Sequence, residues 1–134
     1  MKKIVLSIIA LVSSLFASAT DKYPTLEILN SNIPIVDIRT APEWHQTGII
    51  KGSITITFFD ERGNYDINIF LKELNKKVDT KKPFALICRT GNRTKVVTSM
   101  LSNSFGYEII NLKGGMVYSK ANNLPIVAYK AVER

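Results

Sequence analysis

The run "FALICRTGNRTKVVTSMLSNSFG", residues 84–106, carries a strand, a turn and a helix in direct succession. Phe84 to Cys88 is a short continuous apolar stretch, as expected of a strand covered on both faces. Val96, Val97, Met100 and Leu101 then follow the three-four spacing of a helix, and Gly106 supplies its stop. Between them lies a polar loop with Gly91 and Asn92 at the turn, and the helix is expected to begin near Thr94. A strand leading through a tight loop into a helix is the repeating unit of an α/β domain. Ligands of such folds sit at the carboxyl ends of the strands, where this loop lies.

The flanking sequence extends the same alternation. Toward the amino end, "IPIVDIR" (Ile33 to Arg39) and "SITITFF" read as strands. Between them "TAPEWHQTG" reads as a short helix, with Thr40 and Glu43 at capping-box spacing and Gly48 as its end. "INIFLKELNKK" places Ile67, Phe70, Leu71 and Leu74 on one helical face after the Gly-Asn turn of "ERGNYD". Residues 20–32 form a lead-in with a short helix around Leu26 and Leu29. Toward the carboxyl end, "EIINL" is a strand, "GGMVYSKANN" a glycine turn and short helix, and "PIVAY" a last strand. The expected fold is α/β, with a mostly parallel central sheet and helices on both faces.

Composition bounds the remainder. A chain of 134 residues with 46% hydrophobic content suffices for one domain with a real core and is too short for two ordinary ones. The first 19 residues have the form of a cleavable export signal: Lys2 and Lys3, an apolar core from Ile4 to Phe16, then the small-x-small pattern Ala17-Ser18-Ala19. The expected organisation is a signal peptide at 1–19 and one domain at 20–134, periplasmic, with an uncleaved anchor as the alternative. The apolar core falls short of the roughly 20 residues of a spanning helix, so no stable membrane insertion is expected after cleavage. Cleavage would remove two of the 18 basic residues and none of the 11 acidic ones, a net charge of +5. The basic residues are scattered and lack interleaved aromatics, so no nucleic-acid partner is expected.

Cys88 is the only cysteine, so it can form no internal disulfide. An inert core cysteine is the usual fate of the residue, but the polar loop that follows suits a working thiol better. Backbone amides turning inward above a helix amino terminus make an anion-binding nest. With Arg89 and Arg93 close by, that setting favours thiolate over thiol. One cysteine and the single histidine, His45, make no zinc site, and His45 reads as an exposed helix residue beside Trp44, a core anchor. No metal or separate cofactor is expected.

"CRTGNRT" resembles the active-site loop of rhodanese-like sulfurtransferases. "IVDIRTAPEW", "TGIIKGSITI" and "NLKGGMVYSKANNLPI" resemble three further motifs of that family in the same order, so the resemblance spans about residues 24–129. It implies that Cys88 is the nucleophile and carries sulfane sulfur as a covalent persulfide. The amides of Arg89, Thr90, Gly91, Asn92 and Arg93 would cradle the sulfur, and the Arg89 and Arg93 side chains would orient thiosulfate or a similar small anionic donor. Cyanide, a small thiol or a protein thiol would accept the sulfur. Asp37, Arg39 and Glu43 fall on family positions read as bracing the loop, with Thr94 supporting it. The chain departs from the family at two places away from the loop, Ile49 where many relatives have histidine and Tyr118-Ser119 where many have Ala-Trp, the second of them expected at the rim of the pocket. The expected state is monomeric.

Two other readings belong to different classes. A domain that binds or relays sulfur without efficient turnover would keep the same loop. A cysteine-dependent phosphatase would need five residues between cysteine and arginine to enclose phosphate, whereas Arg93 follows Cys88 after four and Thr94 stands in the phosphatase arginine position. Disulfide exchange of the thioredoxin kind wants a second cysteine.

Overall fold

The computed structural model describes residues 18–131; the charged and apolar parts of the expected export signal lie outside them. In chain order the elements are β1 (Ala19–Lys22), α1 (Leu26–Leu29), β2 (Ile35–Asp37), α2 (Ala41–Thr47), β3 (Ile49–Ile50), β4 (Ile54–Thr55), α3 (Ile67–Lys77), β5 (Phe84–Ile87), α4 (Asn92–Phe105), β6 (Ile109–Leu112), α5 (Gly115–Ala121) and β7 (Ile126–Val127). Five strands form one sheet in the order β1-β6-β5-β2-β4, every neighbouring pair parallel. The pair β3 and β7 forms a separate antiparallel ribbon.

The sheet divides the core into two layers. Along β5, Phe84 and Leu86, followed by Cys88, face a cluster with Phe70 and Leu74 of α3 and Val97 and Leu101 of α4. The alternate residues Ala85 and Ile87 face Ile28 and Leu29 of α1 and Met116 of α5. This is the two-residue period of a strand buried on both sides. Each fully buried Leu or Phe contributes about 1.5–3 kcal/mol relative to exposure, so the central strand is the most strongly anchored part of the sheet. Cys88 therefore leaves the sheet on the α4 side, beneath the start of that helix.

Four details differ from the sequence-based expectation. Strand β1 starts at Ala19, the last residue of the expected signal, and runs into what reads as a lead-in. It is exposed along its whole length and joins β6 through its backbone and one side-chain hydrogen bond, from Asn111 to Asp21, so no apolar pattern marks it. The "SITITFF" strand is reduced to Ile54–Thr55, because its partner β2 ends at Asp37: Ile56 donates to the carbonyl of Asp37 and Phe58 to that of Ile38 beyond the strand. Helix α4 begins at Asn92 rather than near Thr94, with Gly91 as its N-cap. The last strand, β7, joins β3 and not the central sheet.

Candidate active site

The Cys88 loop is held from below by β5 and from the side by α5. Gly91 has φ +94°, a left-handed conformation that turns the chain into α4, and a Cβ there would come within 3.1 Å of the Gly114 nitrogen. Gly115 is required more strongly. A Cβ on it would collide with the carbonyl oxygens of Cys88 and Arg89. Its absence lets the first turn of α5 reach the loop, where Met116 N–H donates to Cys88 O at 2.9 Å and Val117 N–H donates to Arg89 O at 3.1 Å. The glycine pair thus locks the backbone that carries the thiol.

The sulfur is enclosed. Cys88 is 1% exposed, lower than a freely accessible loop thiol would be. Gly91 N–H donates to Sγ at 3.2 Å, and Thr94 Oγ1 lies 3.5 Å away. Of the expected amide cradle, the Gly91 amide is the one hydrogen-bonded to sulfur among the described residues. The nest is thus built from one loop amide and the amino terminus of a 14-residue helix, whose dipole favours negative charge at the same point.

The two arginines beside the thiol have different occupations. Arg93 makes a two-pronged ion pair with Glu43, Nη1 to Oε2 at 2.9 Å and Nη2 to Oε1 at 2.7 Å. Glu43 Oε2 also accepts from the backbone N–H and the hydroxyl of Thr40, each at 3.0 Å, so it caps α2 and ties that helix to α4. Arg89 is exposed, and its guanidinium has no hydrogen-bond partner among the described residues. It lines a cleft of about 130 Å³ between α2 and α5, together with Glu43, Met116, Val117, Lys120 and Ile126. The two arginines therefore differ in their contacts: Arg93 is paired with Glu43, and Arg89 lines the cleft, whose lining does not include Cys88.

The hydrogen bond from Arg93, aided by those from Thr40, lowers the Glu43 pKa from its ordinary 4.5 to about 2 against the opposing effect of burial. Glu43 in turn raises the pKa of Arg93. Since the folded-state pKa of Glu43 is the lower one, the pair stabilises the fold above about 4.5 and loses its effect as pH falls toward 2. The difference in stability between the parent and Glu43→Gln should be present at neutral pH and vanish below about 2 in pH-dependent denaturation. With both side chains a quarter to a third exposed, the gain is modest. A difference constant across pH would mean that Glu43 acts by packing.

Asp37 and Arg39 are buried, at 0% and 1% exposure. Arg39 Nη2 donates to Asp37 Oδ2 at 2.8 Å and to Gly48 O at 2.7 Å, Nη1 donates to Thr47 Oγ1 at 2.6 Å, and Nε donates to Asp37 Oδ1 at 3.0 Å. The arginine thereby joins the end of β2 to the end of α2, and among the described residues neither the Asp37 nor the Arg39 side chain has a hydrogen bond to the Cys88 loop. Trp44 is buried and His45 exposed, each packed against Tyr129. Of the two departures from the family, Ile49 pairs with Val127 and Tyr118 stacks on Tyr23, so neither lines the cleft.

Thr94 is deeper in the site than its supporting role suggested, and Asn111 and Asp21 stand behind it with no sequence signal to reveal them. Asn111 reads simply as a strand residue in "EIINL". Among the described residues no group of His, Cys, Asp and Glu could hold a metal, and no helix is long and apolar enough to cross a membrane.

Known proteins give this architecture a family. Residues 24–122 match the model of the rhodanese-like domain. An uncharacterized protein of Rickettsia prowazekii is 34% identical over 111 residues, covering 73% of this chain and 85% of its own. A rhodanese-related protein from Thermoplasma volcanium superposes with a TM-score of 0.54 at 26% identity, over 72% of this chain and 85% of that one. A rhodanese-like domain protein from Staphylococcus aureus gives 0.55 at 24% identity, over 82% and 98%. The family covers sulfurtransferases, phosphatases and sulfur-carrier modules. With its parallel sheet, its thiol loop and a match across most of its length, the chain belongs to the rhodanese-like domain family.

Proposed function

We propose that the protein is a sulfurtransferase that carries sulfane sulfur on Cys88. The observation that carries this reading is the position of Sγ, 3.2 Å from the Gly91 amide and at the amino terminus of α4, with the exposed Arg89, whose guanidinium has no hydrogen-bond partner among the described residues, next to it in the loop. Thiosulfate is the simplest donor that fits. The thiol first loses its proton to solvent; the thiolate then attacks the outer sulfur of thiosulfate, and sulfite leaves with the electron pair of the broken S–S bond. Cyanide or a thiolate next attacks the outer sulfur of the persulfide and restores the Cys88 thiolate. Two anions meet in the first step, so a preorganised amide, the helix terminus and Arg89 supply the offsetting positive potential where charge develops. An ionised thiol needs no general base, and the only histidine, His45, packs on Tyr129.

The phosphatase alternative is disfavoured by the same geometry. Phosphate enclosure needs a guanidinium over the loop, whereas the Thr94 hydroxyl occupies that place and Arg93 is committed to Glu43. The export-signal form of residues 1–19 is the sequence feature that supports a periplasmic setting for this activity.

Incubation with thiosulfate should add the mass of one sulfur atom to the protein, and cyanide should remove it with release of thiocyanate. No gain of mass with thiosulfate would overturn thiosulfate as donor. No gain with any sulfane donor would overturn the transferase reading. Within this scheme the arginines separate. Arg89→Ala should lower kcat/KM for thiosulfate by on the order of tenfold to a hundredfold, the worth of a hydrogen bond to a charged group. Arg93→Ala should chiefly lower stability. Equal kinetic losses in the two variants would mean that Arg93 leaves Glu43 to bind the donor.

A further inference from the structure

The thiol is connected to the far edge of the sheet by buried side chains that its proposed chemistry does not use. Thr94 Oγ1 lies 3.5 Å from Cys88 Sγ, 2.5 Å from Asn111 Oδ1 and 3.2 Å from the Gly91 carbonyl oxygen. Asn111 Nδ2 donates to Asp21 Oδ1 at 2.9 Å. Cys88, Thr94 and Asn111 are 1%, 0% and 3% exposed, so water does not compete for these groups.

The direction of each hydrogen bond follows from the atoms available. An ionised carboxylate only accepts, so the amide nitrogen of Asn111 faces Asp21 and its oxygen faces Thr94. The Thr94 hydroxyl has one proton, and the Asn111 oxygen is the nearest of its three possible acceptors. With the proton on that side, Thr94 turns a lone pair toward sulfur. A lone pair accepts from S–H and disfavours a thiolate, opposing the Gly91 amide.

We propose that Asn111, oriented by Asp21, is a positioning residue that governs the ionisation of Cys88 through Thr94. It holds the Thr94 proton away from sulfur while the thiol is protonated, and that proton must turn from Asn111 to sulfur when the thiolate forms. The inference depends on Cys88 being the working thiol and on no particular sulfur donor. The other charged groups around the loop are Arg89 on the loop itself, Arg93 of α4 with Glu43 of α2, the Asp37–Arg39 pair after β2, Lys113 after β6 and Lys120 of α5. None of these is altered by a change at Asn111.

The test is the pH titration of thiolate ultraviolet absorbance in the full chain, with Cys88→Ser as the blank. Because Cys88 is the only cysteine, the difference reports this thiol alone. Asn111→Leu frees the Thr94 proton for sulfur and should lower the titration midpoint by about one unit, the scale of one hydrogen bond to a charged group. In a Thr94→Val background the same substitution should produce no shift, since the effect passes through the hydroxyl. An unchanged or raised midpoint in Asn111→Leu, or a lowering that persists with Thr94→Val, would overturn the proposal. Should Asn111→Leu fail to fold by circular dichroism, Asp21→Asn on the exposed strand replaces it. That change lets the Asn111 amide turn over, and it should lower the midpoint with Thr94 present and less, or not at all, with Thr94→Val. A direct charge effect of Asp21 would survive the loss of Thr94, and that result, or no shift in either background, would overturn the proposal. Persulfide formation, measured separately by mass, distinguishes failure of this coupling from failure of the transferase reading.

Discussion

Cys88→Ser should abolish persulfide formation and reduce thiosulfate-to-cyanide transfer by on the order of a thousandfold or more, as loss of a covalent nucleophile does in other enzymes. The substituted hydroxyl is close in size to the thiol, and Gly91 N–H can still donate to it. The far-ultraviolet spectrum and thermal midpoint should therefore stay near those of the parent. The reason for the loss is chemical: a hydroxyl is essentially un-ionised at neutral pH and forms no stable adduct with sulfane sulfur. Transfer that persists in a correctly folded Cys88→Ser protein would exclude the persulfide route, since the chain has no second cysteine to take its place.

Arg39→Leu should have the largest effect on stability. It removes the guanidinium from a side chain 1% exposed and leaves the Asp37 carboxylate, at 0% exposure, without its ionic partner. Stranding one member of a buried pair costs about 3–5 kcal/mol, a large part of the roughly 5–15 kcal/mol that holds a domain together. The thermal midpoint should fall by more than about 10 °C. The carbonyl of Gly48 and the hydroxyl of Thr47 lose a donor as well, so α2 should loosen and carry Glu43 away from Arg93. Adding Asp37→Asn to Arg39→Leu should restore part of the loss, because the stranded charge and not the missing volume dominates it. No restoration in the double variant would place the cost in packing and in the unsatisfied carbonyl.

Such a clamp is only partly visible in a linear chain. "IVDIR" places Asp37 and Arg39 two residues apart, which in a strand points both to the same face, and there the two form an ion pair. What Arg39 reaches at Thr47 and Gly48 depends on α2 folding back over the strand. Glu43 shows the same division. Its capping role toward Thr40 is local and can be read from spacing, whereas its ion pair with Arg93 joins residues 50 apart and follows only from the packing of α2 against α4. For this reason Arg93 reads from the sequence as an anion ligand like Arg89, although the folded chain gives them separate tasks.

By itself the sequence determined the order of strands and helices around Phe84–Gly106, the two-sided burial of the central strand and the placing of the lone thiol at its carboxyl end. These depend on local periodicity, on glycine and on capping chemistry, all of which act over a few residues. Tertiary structure alone decided the rest. Strand β1 exists because the backbone of β6 offers it an edge, not because its exposed residues prefer to be a strand. The enclosure of Sγ follows from the start of α4 packing over it, with the Gly91 amide and the Thr94 hydroxyl against sulfur, while α5 holds the loop backbone because Gly115 has no side chain. Asn111 reaches Asp21 across 90 residues of chain, and only parallel pairing of β6 with β1 sets them side by side behind the thiol. The physical reason is common to all three: a hydrogen bond or steric contact depends on separation in space, and residues far apart in sequence acquire that separation only when the sheet has assembled.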